Sequence, residues 1–317
     1  MPRMTSSPFR ALALLALAGC TGGPSDTSAP QETAADTSDT SAVVPVWTDS
    51  HIETSSTFHG VYASGSGTYV VGTEAKAYVG TASVGFTEIA PPVDVDLRDL
   101  WGEGASESLQ LYAVGYEGHV LGYAAEAWTD ADLGTNNFEG TGGSAGALYA
   151  VGWGGIYEFD GAAWTSQAAP DGARLNDVWG TGGDAVAVGE EGDAAVRSGG
   201  VWTSTTTAVT TTLHAVSGVA ADDVWAVGED GTVLHWDGST WTLVTVPTTQ
   251  TLWGVWVYSA ADVFVVGNNG TALYYDGTTW IDMPTGVANN LYAVHGSSPT
   301  NVWAVGNRGA AIQYKPE

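Results

Sequence analysis

The stretch LHAVSGVAADDVWAVGEDGTVLHWDGSTWTLVTV, residues 213–246, contains four short apolar runs separated by turn residues. Asn, Asp and Gly tolerate the positive φ of tight hairpin turns, and such residues occupy Gly228-Glu-Asp-Gly231 and Asp237-Gly238. The pattern predicts four antiparallel strands connected by short turns. The predicted strands are a (Leu213 to Val216), b (Val224 to Gly228), c (Gly231 to Trp236) and d (Trp241 to Val246).

The same unit recurs along the chain, with the same markers in the same order. A tripeptide Ala-Val-Gly or Val-Val-Gly closes strand b at Gly72, Gly115, Gly152, Gly189, Gly228, Gly267 and Gly306. An apolar residue begins strand a at Phe58, Leu97, Phe138, Leu175, Leu213, Leu252 and Leu291. Repeats of about 40 residues with four strands each are typical of a β-propeller.

The strand-d aromatics indicate how the ring closes. Six follow the repeats, at Phe86, Trp128, Trp164, Trp202, Trp241 and Trp280. A seventh, at the spacing of 39 residues, would fall beyond Glu317, whereas Trp47 lies 39 residues before Phe86. We therefore expect the N-terminal strand around Trp47 to be the outer strand of the last blade. The predicted fold over residues 43–317 is an all-β, seven-bladed β-propeller of four-stranded antiparallel blades.

The N-terminus has the composition of an export signal. Residues 1–10 carry two arginines and no acid, and residues 11–18 are apolar but too few to span a bilayer as a helix. Leu17-Ala18-Gly19-Cys20 resembles the bacterial lipobox, which implies that residues 1–19 are a signal peptide and that Cys20 becomes lipidated. A plain secretory signal with an incidental cysteine is the alternative.

Residues 20–42 are predicted to be a disordered acidic tether. After Cys20 this segment has no aromatic residue, no Val, Leu or Ile and no Lys or Arg, so it cannot bury enough apolar surface to offset the entropy of ordering. Together the anchor and tether predict export to the bacterial cell envelope. Thr21, rather than the Asp associated with inner-membrane retention in enteric bacteria, favours the outer membrane.

The charge balance excludes several partners. The 317 residues include 8 Lys or Arg and 35 Asp or Glu, for a formal net charge of -27. Nucleic-acid affinity comes largely from Lys and Arg contacts to phosphates, so nucleic acid and anionic lipid headgroups are excluded and the lipid anchor is the only expected membrane contact. With one cysteine the chain forms no intramolecular disulfide. We expect a monomer.

The repeat consensus combines Leu-x-x-Val-Trp-Gly, Asp-Val-Trp-Ala-Val-Gly and Trp-Asp-Gly-x-x-Trp-Thr. It resembles the repeats of bacterial propeller lipoproteins, near the Asp-box (BNR-like), kelch-like and photosystem II assembly-factor-like propellers. The resemblance covers all seven units and implies the fold. It implies no activity, because propellers carry unrelated functions.

The repeats differ most at the second position of strand a, which would line the central channel. The seven residues there are His59, Arg98, Glu139, Asn176, His214, Trp253 and Tyr292. Such unlike residues within a constant framework predict one asymmetric ligand pocket at the channel mouth. Unconstrained surface would show the same variation, so both interpretations stand at this stage.

Catalytic and metal signals are weak in the sequence. A sialidase-like site needs clustered arginines, but Arg98, Arg174, Arg197 and Arg308 occupy unlike repeat positions. No cofactor is expected, although the acidic turn pairs Glu190-Glu191 and Glu229-Asp230 have the oxygen ligands that Ca²⁺ prefers.

Three functional hypotheses follow from these observations. The leading one is a non-enzymatic envelope scaffold that binds a protein or a glycan, since Trp and Tyr anchor such interfaces. The second is an envelope hydrolase or lyase with its site at the channel mouth. The third is a surface module stabilised by Ca²⁺.

Overall fold

The computed structural model describes residues 46–81, 83–104, 108–144 and 146–316. The expected signal peptide, the lipidated Cys20 and the tether lie outside the described residues. No helix in the described ranges is long and apolar enough to cross a bilayer.

The described strands form seven four-stranded antiparallel sheets, each of which is one blade. In blades 1 to 6 the strands follow chain order from a to d, whereas blade 7 takes its outer strand from the N-terminus. Blade 1 contains β2 (Phe58–Ala63), β3 (Thr68–Gly72), β4 (Ala77–Thr81) and β5 (Gly85–Glu88); blade 2 contains β6 (Leu97–Glu103), β7 (Gln110–Gly115), β8 (His119–Ala124) and β9 (Ala127–Asp132). Blade 3 contains β10 (Phe138–Ser144), β11 (Ala147–Gly152), β12 (Gly155–Phe159) and β13 (Trp164–Gln167); blade 4 contains β14 (Leu175–Thr181), β15 (Asp184–Gly189), β16 (Ala194–Ser198) and β17 (Val201–Thr205). Blade 5 contains β18 (Leu213–Ala220), β19 (Asp223–Gly228), β20 (Val233–Trp236) and β21 (Trp241–Leu243). Blade 6 contains β22 (Leu252–Ser259), β23 (Asp262–Gly267), β24 (Ala272–Tyr275) and β25 (Trp280–Asp282); blade 7 contains β26 (Leu291–Ser298), β27 (Asn301–Gly306), β28 (Ala311–Tyr314) and β1 (Trp47–Asp49).

The blades form a closed ring. Strand a of each blade packs beside strand a of the next, and β26 of blade 7 packs against β2 of blade 1. Strand β1 pairs with β28, with Trp47 opposite Tyr314 and Asp49 opposite Ile312. The predicted seven-bladed propeller and its closure by the N-terminal strand are confirmed.

Strand boundaries within the blades differ from the prediction. In blade 5, strand a continues to Ala220, and strand c begins at Val233 rather than Gly231. The b–c turn takes up those residues because Asp230 and Gly231 both have positive φ, as the turn chemistry predicts. Strand d ends at Leu243 and not Val246. The next residue, Val244, donates its N–H to Val233 O at 2.8 Å, at the first residue of strand c.

The core consists of seven hydrophobic clusters, one at each interface between neighbouring blades. The seven strand-d aromatics all lie on outer strands, and their burial differs from blade to blade. Trp47, Trp202 and Trp241 are buried, whereas the remaining four are half-buried. The half-buried four are Phe86, Trp128, Trp164 and Trp280.

Candidate functional site: the central cavity

A β-bulge at the second residue of strand a occurs in every blade. In blade 2, Leu97 pairs with Gly115 and Asp99 with Val114, so that Arg98 between them has no partner on strand b. The same register shift occurs in the other six blades. A bulge re-aims one side chain without ending the strand. It therefore explains why the second position tolerates residues of any size or charge.

All seven position-two side chains line one central cavity of about 900 Å³. Each is half-buried. The structure thus brings together the complete set predicted from the sequence: His59, Arg98, Glu139, Asn176, His214, Trp253 and Tyr292. The fifth position of strand a supplies a second group of lining residues, which includes Trp101, Trp179, Trp256 and His295.

Blades 1 to 3 present a polar side of the cavity, centred on Arg98. Its Nε donates to Glu139 Oε2 at 3.0 Å, and its Nη1 lies 3.0 Å from His59 Nε2. The guanidinium also lies over the ring of Tyr116, 5.5 Å from the centroid. Burial, together with the charge of Arg98, lowers the pKa of His59 to about 3. His59 is therefore neutral at pH 7, and its Nε2 accepts the hydrogen bond.

Blades 5, 6, 7 and 1 present an aromatic side. The rings of His214 and Trp253 stack with centroids 3.9 Å apart. The ring of Tyr292 lies edge-on to Trp253 at 5.4 Å and is tilted against His59 at 5.1 Å, centroid to centroid. Trp253 Nε1 donates to Asn268 Oδ1 at 2.8 Å. Burial lowers the pKa of His214 to about 4. The rings fix one another, so a ligand meets side chains that are already ordered.

Two half-buried aspartates, Asp99 and Asp177, lie on the cavity wall at position three of strand a. One oxygen of each accepts the N–H of the following residue, at 2.8 and 2.7 Å. The other accepts a backbone N–H from the next blade, from Thr141 at 2.8 Å or from Val216 at 2.7 Å. Burial raises the pKa of Asp99, and burial and the charge of Asp99 raise that of Asp177. Both carboxyl groups connect neighbouring blades.

These aspartates were not predicted from the sequence, although the aligned repeats contain a signal for them. The other five blades have a small residue at position three, because strand a of the next blade approaches closely there. Those residues are Gly60, Gly140, Ala215, Gly254 and Ala293. An ionisable residue at a position otherwise restricted to Gly and Ala marks a polar contact between blades.

His295, on strand a of blade 7, bridges the point where the ring closes. Its Nδ1 accepts the N–H of Ala63 in blade 1 at 3.0 Å. Its ring lies 4.7 Å from Tyr62 and 5.4 Å from Trp256, centroid to centroid. Burial lowers its pKa to about 4, so the neutral imidazole that this hydrogen bond requires is present at pH 7.

Trp153, which the sequence analysis did not single out, lies at the cavity rim with 64% of its surface exposed. It occupies the first position of the b–c turn of blade 3. The other blades carry Thr73, Tyr116, Glu190, Glu229, Asn268 and Asn307 at this position. The guanidinium of Arg174 lies 5.8 Å from its ring centroid. An exposed tryptophan at the mouth is a second aromatic contact surface for a ligand.

The acidic turns are occupied by contacts within the chain. Glu190 accepts from Arg174 at 3.2 Å, and Glu229 Oε2 accepts the N–H of Thr212 at 3.4 Å. Within the described ranges no group of three or more His, Cys, Asp or Glu could hold a metal ion. Arg98 is the only arginine among the described residues that line the cavity, so no arginine cluster forms there.

Fold and cavity together define a seven-bladed β-propeller with an asymmetric central cavity. No family model and no curated protein matches the sequence. Similar solved structures include YCF48 bound to a D1 peptide, 16% identical with a TM-score of 0.69 over 86% of this chain and 97% of that one. YCF48 from Cyanidioschyzon merolae is 14% identical, with a TM-score of 0.68 over 85% and 99% of the two chains. The WD40 propeller domain of Doa1 is 11% identical, with a TM-score of 0.69 over 86% and 97%. At these identities the similarity establishes the fold, and two of the three belong to a photosystem II assembly factor, one of the classes that the repeats resemble.

Proposed function

We propose that this chain is a lipid-anchored scaffold of the bacterial cell envelope, without enzymatic activity, that binds a protein segment or a glycan in its central cavity. One observation carries the proposal. Seven unlike side chains converge on a single cavity from positions that the strand pairing leaves free. The volume of about 900 Å³ falls within the range of roughly 300–1,000 Å³ that ligand sites occupy.

Two further features support binding. His214, Trp253 and Tyr292 hold one another in place, so little side-chain entropy is lost when a ligand arrives. YCF48, a propeller of similar fold, has a structure bound to a D1 peptide. A peptide is thus a ligand that a propeller of similar fold binds.

Binding is tested with the purified full-length protein on a glycan array and on a peptide library. Trp253→Ala should weaken a cavity ligand at least tenfold, which is about 1.4 kcal/mol. Trp164→Ala is the matched control, because Trp164 is also half-buried but lies on an outer strand and does not line the cavity. Equal affinity of the Trp253 variant, the Trp164 variant and the wild type for every ligand found would refute the cavity as the binding site.

Anchoring at Cys20 is a separate part of the proposal, and it rests on the lipobox-like sequence. Growing cells with a radiolabelled fatty acid should label the wild-type protein but not a Cys20→Ala variant. The wild type should also fractionate with the outer membrane. Incorporation of label into the variant, or a wild type that never carries label, would overturn the anchor.

An envelope hydrolase or lyase is the second candidate, and one observation favours it. His59, Asp99, Glu139 and Asp177 bring four titratable groups to one cavity, which is the arrangement that acid–base catalysis uses. Both oxygens of Asp99 and of Asp177 accept backbone hydrogen bonds. These carboxyl groups therefore hold neighbouring blades together, which favours the non-enzymatic scaffold. The test is to incubate a captured ligand with the protein and look for products by mass spectrometry. Product formation that Glu139→Gln abolishes would replace the scaffold with an enzyme.

A further inference from the structure

The charges of the cavity are divided unevenly around its wall. The described lining residues include one arginine, Arg98, and no lysine, against five carboxylate side chains. All six lie on blades 2 to 4. The acidic residues are Asp99, Glu139, Asp177, Glu190 and Glu191.

Several of these carboxylates have no cation to neutralise them. Arg98 pairs with Glu139, and Arg174 at the rim pairs with Glu190. Asp99, Asp177 and the exposed Glu191 form no salt bridge within the described ranges. Because burial and the charge of Asp99 raise the pKa of Asp177 and favour its protonated form, the negative charge of this wall comes mainly from Glu139, Glu190, Glu191 and Asp99.

The three histidines of the cavity do not offset this charge. Burial holds the pKa of His59 at about 3 and those of His214 and His295 at about 4. All three are therefore neutral at pH 7, and the lining has a net negative charge.

Aromatic rings face this acidic side from the other half of the ring of blades. Trp253 and Tyr292 form that wall, with the ring of His214 stacked on Trp253 and the ring of His59 tilted against Tyr292. A cation over the face of Trp or Tyr gains about 0.5–2 kcal/mol, and a carboxylate on the other side adds to this attraction.

The chain already uses this chemistry at the cavity with its own guanidinium groups. Arg98 lies over the ring of Tyr116, and Arg174 lies beside Trp153 at the rim. Trp153 keeps 64% of its surface exposed, so most of its ring remains accessible to a ligand.

We infer that the occupant of the cavity is a short basic segment of a partner protein, with a Lys or Arg side chain between the acidic wall of blades 2 to 4 and the aromatic wall opposite. This inference rests on the proposed binding function and specifies its ligand. A cavity of about 900 Å³ admits only a few residues. The net charge of -27 would accelerate the approach of a basic partner at low ionic strength.

The experiment uses a phage-displayed library of random peptides, selected on the full-length protein. Clones that bind the wild type and lose binding to Trp253→Ala are cavity-dependent. Their sequences should be enriched in Lys and Arg, and replacing the basic residue with Gln in a synthetic peptide should weaken binding at least tenfold. Affinity should also fall as salt is raised.

A matched pair of variants tests the acidic wall. Glu191→Gln should weaken binding of the basic peptide about threefold or more. It should leave unchanged the binding of the synthetic peptide in which Gln replaces the basic residue. Glu117→Gln is the control, because Glu117 occupies the same turn position in blade 2, with the same left-handed φ, and does not line the cavity. Equal effects of the two variants would overturn the acidic-wall assignment.

The outcomes separate this inference from the function beneath it. Cavity-dependent peptides without basic residues, or cavity-dependent glycans alone, would overturn the basic segment and leave the binding scaffold intact. A search of peptides and glycans that finds no cavity-dependent ligand would overturn the scaffold itself.

Discussion

Trp47→Ala tests how the ring is held closed. Trp47 is 5% exposed and packs between blades 6 and 7, with its ring 5.6 Å from Tyr314. It belongs to β1, which pairs with β28 through only three residues. After β1, the N–H groups of Ser50 and Ile52 donate to the carbonyl oxygens of Ala311 and Gly309 at 2.8 and 2.9 Å. The side chain is thus the main apolar contact that holds β1 on blade 7.

The expected cost follows from its burial. A buried aromatic side chain covers about 150–250 Å², which at about 25 cal/mol per Å² corresponds to about 4–6 kcal/mol. Its Nε1 has no hydrogen-bond partner among the described residues, and burying that donor costs about 1–3 kcal/mol that alanine would recover. The net loss in unfolding free energy is about 3 kcal/mol. For a domain of this size that corresponds to a decrease in Tm of about 6–12 °C.

Trp202→Ala is the matched control. Trp202 is also a strand-d tryptophan, is 9% exposed and has an unpartnered Nε1. Its strand β17 follows β16 directly in the chain, so it cannot leave its blade as β1 can. Calorimetry should show similar losses of Tm for both variants. Hydrogen exchange of Ala311–Tyr314 should accelerate only in the Trp47 variant. Equal protection of that strand in the two variants, or an unchanged Tm for the Trp47 variant, would refute closure by β1.

Three further predictions concern the contacts between blades. His295→Asn keeps a hydrogen-bond acceptor but cannot titrate. The folded-state pKa of His295 is lowered to about 4, so the unfolded chain takes up a proton before the folded protein does. The stability advantage of the wild type over this variant, measured by urea unfolding, should therefore shrink as pH falls from about 6.5 to about 4. Burial raises the folded-state pKa of Asp99, so between about pH 4 and about pH 6 the folded wild type keeps a proton that the unfolded chain loses. The wild type should therefore lose stability as pH rises through this range, and Asp99→Asn should not show this loss. Gly142→Ala should cost about 1–3 kcal/mol because its Cβ would clash with the carbonyl oxygen of Val178, whereas Gly65→Ala, with nothing within 4 Å, should cost less.

Each of these predictions has a result that contradicts it. A constant difference between the His295 variant and the wild type from pH 4 to 7 would show that this histidine does not titrate as described. For Asp99, parallel stability profiles of variant and wild type would mean that the carboxyl keeps its ordinary pKa. Equal stabilities of the two glycine variants would show that strand a of blade 3 has room for a methyl group.

The fold was predictable because its determinants are local and repeated. Strand spacing, turn glycines and the offset of Trp47 from Phe86 are all properties of short segments or of their period. The cavity lining was predictable for the same reason, since all seven residues occupy one repeat position. Contacts between blades were not. His295 and Ala63 are 232 residues apart, and no pattern within one repeat indicates that they meet.

The aspartates illustrate a second limit. A repeat comparison shows what each position contains but not which neighbouring strand its side chain reaches. Asp99 accepts from Thr141, 42 residues away, and Asp177 accepts from Val216, 39 residues away. Both separations along the sequence are close to one repeat. Comparing strand a of each blade with strand a of the next blade would therefore have indicated the pairing. Trp153 was not predicted because it lies in a turn, whereas the predicted lining residues all lie on strand a.

The bulge at position two separates recognition from architecture. The bulged residue lies outside the ladder between strands a and b, and its side chain lines the cavity rather than the apolar interface between blades. Replacing it therefore leaves the apolar core in place. Seven such sites open onto one cavity, and each belongs to a different blade. A new ligand specificity could therefore arise by point mutation at a few of these sites while the framework stays unchanged. The same independence makes the propeller a scaffold for combinatorial libraries, in which seven codons are randomised and the ring is left intact.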